Sequence, residues 1–287
     1  MMTTQRFPTL DANCIVATRD ALHSYAEVLG DWLVSCRPRR KHWWQLSLRP
    51  SLTGLTTGMV HAGIDFELQL DLKENLLCGQ VAGGGEFGEP LHGQPAAALA
   101  QEIKTFFLDN GIDPERVPNV APRDGEAQAT EGYSAEVAQT LASAWRSISA
   151  ALTDFRAGIP EETSPIQLWP HHFDLAMMWL PGEKILGQDP ADEEYSDKQM
   201  NFGFTLGDEG IPEPYFYVTA YPLPEAFPSL QLPAGTVWQS EGFSGAVVTW
   251  RSLIESSDPH GYLLDLWNSL VSAGRKHMLT NGKSGDA

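Results

Sequence analysis

The chain has 287 residues, with 37 acidic against 19 basic side chains and a formal net charge of −18. A surface of that sign repels phosphate backbones and anionic membranes, which argues against nucleic acid or a membrane as partner. No apolar run approaches a membrane span, and MMTTQRFPTL lacks the apolar core of a signal peptide. The three cysteines (Cys14, Cys36, Cys78) are scattered without a CxxC, so a cytoplasmic protein without disulfides is expected.

The first helix is expected from Thr18 to Val34. Thr18 is a candidate cap, and Leu22, Tyr25, Ala26, Leu29, Trp32 and Leu33 form one apolar stripe. Arg37, Arg39, Arg40 and Lys41 follow it. They read first as a positive helix end that offsets the macrodipole, and second as a phosphate site. Strands are expected at His42–Leu48, Phe66–Leu72 and Leu77–Ala82; the middle one alternates apolar and polar residues, as in a sheet with one wet face. Gly83-Gly84-Gly85 opens no phosphate-binding motif and reads as a turn. A second helix starts at Pro95 and stops at Asn110-Gly111. Residues 113–132, rich in Pro, Gly and charge, read as a linker.

A third helix is expected from Ser134 to Arg156, then strands at His171–Leu180, Met200–Leu206, Tyr215–Tyr221 and Val247–Trp250. A fourth helix opens at Asp258-Pro259 and ends at Gly274, and the polar tail from residue 277 frays. Each half thus runs helix, strands, helix. HWWQLSL at His42 overlays HHFDLAM at His171 without a gap. The expected fold is α+β, an internal duplication of helix–antiparallel strands–helix units packed as a pseudo-twofold pair. The repeats are 1–112 and 133–276, in one compact unit with the linker at 113–132 and a tail at 277–287.

Three features bear on chemistry. His171, His172 and Asp174 stand in an otherwise apolar stretch, SPIQLWPHHFDLAMMWLPG, where polar groups need partners or a purpose. On a strand, His172 and Asp174 share a face. Such a pair either hydrogen-bonds the backbone and neighbouring strands as part of the packing, or contacts a ligand, or, with His171, Glu193 and Glu194, holds a divalent metal. His42, Trp44 and Arg49 occupy the matching place in the first half. Tyr215 and Tyr217, with Thr219 and Tyr221, give one strand face an aromatic surface with hydroxyl tips. The leading expectation is a small-molecule binding protein. Its pocket would lie near the pseudo-twofold axis, lined by His42, Trp44, Arg49, His172, Asp174, Tyr215 and Tyr217. The alternatives are a metal-assisted hydrolase using His171, His172 and Asp174, and a protein-interaction module using the aromatic strand. No cofactor motif is recognisable, and no HExxH, GxSxG or EF-hand spacing occurs.

The ordered series TRDALHSYAEVLG, HWWQLSLRPSLTGLTTG, SPIQLWPHHFDLAMMWLPG, and QMNFGF followed by PEPYFYVTAYPLPE resembles the bacterial domain-of-unknown-function 5996 family from about Thr18 to Leu270. The resemblance implies a cytosolic bacterial protein without an established activity, and it supplies no catalytic residues. Members of that family carry small residues before FDLA, so the double histidine departs from the pattern.

Overall fold

The computed structural model describes residues 7–112, 129–192 and 194–279, so most of the expected linker and of the C-terminal tail, and Glu193, lie outside the described residues. The fold is α+β, with two antiparallel sheets and several helices. The chain divides into two compact units. One takes the residues up to Ala150 together with Ile166–Leu175, and the other takes Ala151–Pro165 and the chain from Ala176 onward.

In the first unit, helix α1 runs over Ala12–Cys36, longer than its apolar stripe suggests. Asp11, not Thr18, caps it, because the Asp11 side chain accepts from the Asn13 amide. Thr18 is instead buried inside the helix, where its hydroxyl accepts from the Ser134 amide at 3.0 Å. Strands β1 (Arg49–Pro50), β2 (Gly54–Thr56), β3 (Val60–His61), β4 (Asp65–Asp71), β5 (Leu76–Val81) and β6 (Glu86–Pro90) follow. They make a sheet of order β1-β2-β4-β5-β6, with β3 beside β4. The alternation expected in β4 is present: Phe66, Leu68 and Leu70 are buried, and the residues between them are half-buried. Helix α2 (Ala96–Asp109) packs against α1 and the sheet. Phe107 meets Trp32 edge-on at 4.9 Å and Phe66 at 4.5 Å.

Helix α3 (Ala135–Ala157) carries the chain from the first unit into the second. Strand β7 (Glu162–Thr163) comes next, β8 (Gln167–Trp169) belongs to the first unit, and β9 (Asp174–Leu180) leads back into the second. The second sheet is completed by β10 (Gln199–Thr205), β11 (Tyr215–Tyr221), β12 (Thr236–Gln239) and β13 (Gly245–Thr249), in the order β12-β13-β11-β10-β9-β7. Helix α4 is short (Trp250–Ile254), and α5 spans Pro259–Met278 with Asp258 capping the Gly261 amide. One face of β10 and β11 is covered by aromatics: Phe155 packs 4.8 Å from Phe202 and 5.4 Å from Trp267, and Phe216 stacks on Trp250. Gly274 does not end α5. It lies against the sheet, where a Cβ would come 3.1 Å from the Trp179 ring and closer still to the Met200 sulfur. Among the described residues no helix is long and apolar enough to cross a membrane.

Candidate functional site

Two expected strands begin as turns. His42–Leu48 was expected to be extended, yet Lys41–Leu46 forms a tight helical turn in which His42 (φ 51°) and Trp43 (φ 57°) are left-handed. Residues 170–173 also turn, with Phe173 at φ 51°, so β9 starts only at Asp174. His172 and Asp174 therefore do not share a strand face. The left-handed region costs a side-chain-bearing residue roughly 1 to 2 kcal/mol, and such residues cluster at functional sites. Among the described residues four non-glycine positions have positive φ: His42, Trp43, Asn75 and Phe173. Asparagine tolerates this geometry well. The other three all fall in these two turns.

The turns are fastened to each other inside the first unit. Leu48 and Leu168 exchange backbone hydrogen bonds at 2.9 and 2.8 Å. The Trp169 indole N–H donates to the His42 carbonyl at 3.0 Å. The Ser47 hydroxyl reaches the Trp44 carbonyl at 2.8 Å and Gln167 Oε1 at 2.7 Å. Both turns rest on α1 at Gly30, where a Cβ would sit 3.1 Å from Pro170 Cγ and 3.4 Å from the Leu46 carbonyl oxygen. A side chain there would push the turns away.

Phe173 points inward, stacked on the His23 ring at 5.0 Å and edge-on to Trp145 at 5.7 Å. His171 and His172 stay exposed with ring centroids 4.2 Å apart, which brings three imidazoles (His23, His171, His172) to one place. Partial loss of water, then repulsion from His172 and His23, pushes the pKa of His171 down to about 4. Burial also lowers that of His23, opposed by the Pro170 carbonyl and Asp20. His171 is therefore a neutral imidazole at pH 7, able to accept and donate one hydrogen bond.

Beneath the turns lie buried polar atoms with no partner among the described residues: Trp44 Nε1, His23 Nε2 and one end of the Gln167 amide. The Ser47 hydroxyl has a single proton. If that proton goes to the Trp44 carbonyl, the Gln167 amide turned over would donate Nε2 to Ser47 and leave Oε1 over instead. In either orientation Gln167, only 3% exposed, presents one unmatched polar end. Leaving such a group unmatched costs about 1 to 3 kcal/mol.

Of the residues singled out from sequence, His42, Trp44, Arg49, His171, His172 and Asp174 lie in the first unit. His42 is buried, Arg49 is exposed on β1, and Asp174 is half-buried. Tyr215 and Tyr217 lie in the second unit on β11. There Tyr215 is buried and donates to Asp208, Tyr217 faces Gly203 across the β10–β11 pair, and both contact the Phe243 ring. Among the described residues no three His, Cys, Asp or Glu side chains are placed to hold a metal ion; Glu194 is in the second unit. Gln167, His23 and Gly30 were not anticipated as parts of this site. The one signal for Gln167 was a polar side chain between Ile166 and Leu168 in the same apolar stretch as the histidines.

A family model described as Family of unknown function (DUF5996) matches residues 7–281. No curated protein and no solved structure matches the chain.

Proposed function

The chain belongs to that family of unknown function, and on its own geometry we propose that it is a small-molecule binding protein whose site is the pair of turns carrying Trp44, Gln167, His171 and His172. The observation that supports this is the concentration of left-handed side-chain-bearing residues in two turns that bond to each other. Such backbone costs free energy and recurs at sites that hold side chains in fixed positions, as these turns hold the exposed imidazoles. The ligand of this reading carries acceptors for the Trp44 indole N–H and the imidazoles, and the Gln167 amide meets either polarity. The protein works in the cytoplasm on this reading, in keeping with three cysteines that form no disulfide. The matched segments HWWQLSL and HHFDLAM are read as copies from an internal duplication; each turns through left-handed backbone before the chain becomes extended.

The test is a thermal-shift screen of a metabolite library on the wild type and on His172→Gln and Trp44→Phe. Ligands that raise the wild-type Tm and act less on both variants support the reading. Ligands that stabilise all three proteins equally, or none that stabilise the wild type, sink it.

A further inference from the structure

From Trp32 to Ile64 the chain has no Asp or Glu, although acidic residues outnumber basic ones almost two to one overall. The same stretch holds Arg37, Arg39, Arg40, Lys41 and Arg49. Offset of a helix dipole, the first reading of the cluster, does not account for Arg49, which lies on β1 beyond the left-handed turn.

The fold brings two of these side chains, Arg37 and Arg49, to one peptide group. Arg37 donates from one terminal nitrogen to the Thr57 carbonyl at 2.7 Å and from the other to the Gln45 carbonyl at 3.3 Å. Arg49 Cδ lies 4.0 Å from the place a Cβ on the adjacent Gly58 would take. The Arg49 side chain therefore passes close to the peptide link that Arg37 holds, and burial together with repulsion from Arg49 lowers the pKa of Arg37. Arg40 is tied down by its backbone, its amide donating to Gln45 Oε1 at 2.9 Å, which leaves its exposed side chain to point outward. Beside them the Trp43 indole is 40% exposed, with the Arg39 guanidinium 4.8 Å from its ring centroid. Glu67, a carboxylate on β4 of the same sheet, is engaged by the Thr56 hydroxyl. With the described residues, Arg37, Arg40 and Arg49 make no ion pair.

Three arginines without an ion-pair partner among the described residues, in a chain whose net charge is strongly negative, are what binding of a multiply charged anion would relieve. Arginine forks match phosphate oxygens, and an exposed indole offers a flat apolar platform. We propose that Arg37, Arg40, Arg49 and Trp43 form a binding site for a phosphorylated small molecule with a ring portion, the phosphate between the arginines and the ring against Trp43. None of Arg37, Arg40, Arg49 and Trp43 is among the residues named for the histidine site, and the proposal stands whether or not the histidine turn binds a ligand.

The experiment is calorimetric titration of the full chain with phenyl phosphate and with inorganic phosphate. The exposed variants Arg40→Gln and Arg49→Gln are compared with Arg251→Gln, an exposed arginine of the second unit. The expected result is phenyl phosphate binding that weakens about tenfold in Arg49→Gln and in Arg40→Gln, stays unchanged in Arg251→Gln, and is tighter than inorganic phosphate binding only while Trp43 is present (tested with Trp43→Ala). Absence of binding, or equal weakening in Arg251→Gln, overturns the proposal. Binding with no preference for the ring compound overturns the role given to Trp43.

Discussion

Substituting His171 with Gln removes one imidazole from the cluster with little change in volume. In the folded chain the pKa of His171 is pushed from the ordinary 6.5 down to about 4. Above pH 6.5 both folded and unfolded chains carry this ring neutral, and its full contribution to stability is present. As the pH falls from 6.5 toward 4 the unfolded chain takes up a proton that the folded chain refuses, so stability is lost across that window. At full strength the interval corresponds to about 3 kcal/mol. Because the residue is exposed, solvent screening reduces that to about 1 kcal/mol. The assay is urea unfolding of wild type and His171→Gln at pH 7.5, 6 and 4.5, values chosen to bracket the window. The difference between the two proteins should shift by about 1 kcal/mol in favour of the variant on going to acid. A pH-independent difference would refute the account of three imidazoles crowded around the Phe173 turn.

Gly30→Ala should destabilise by about 1 to 2 kcal/mol net, because overpacking against Pro170 and Leu46 outweighs the roughly 1 kcal/mol gained in helix propensity, read as a lower urea midpoint. Glu161→Gln breaks the paired hydrogen bonds from Arg275 (2.6 and 2.7 Å) that hold the Glu161 pKa at about 2. It should cost about 1 kcal/mol at pH 7, given the partial exposure, and the cost should vanish as the pH falls from about 4.5 toward 2, monitored by thermal unfolding. Asp258→Ala removes the N-cap of α5 and should cost about 1 kcal/mol, with Asp258→Asn close to wild type.

The helices were legible because their stabilising interactions are periodic along the chain. The stripe from Leu22 to Leu33 and the register from Leu141 to Phe155 are buried as the 3.6-residue repeat demands. The alternation of β4 and the aromatic strand β11 were legible for the same local reason. Residues 42–46 were not. HWWQLSL has a strand-like composition, and its left-handed turn is fixed by Trp169 and Leu168, more than a hundred positions away. Gly274 looked like a helix stop because glycine usually is one; the close approach of Trp179 and Met200 gives it another use. At the candidate site the double histidine was visible as polar residues in an apolar run. Gln167 and His23 gain significance only from Ser47 and Phe173, contacts made by folding.

The central claim is that the two fastened turns form one ligand site. It is tested most directly by following the Trp44 indole N–H and the His171 and His172 ring C–H signals by NMR while a fragment library is titrated into the labelled protein. The account predicts fragments that move all three residues together and leave distant indoles such as Trp267 in place. Fragments that bind elsewhere while these signals stay fixed, or a library that moves none of them, would contradict it.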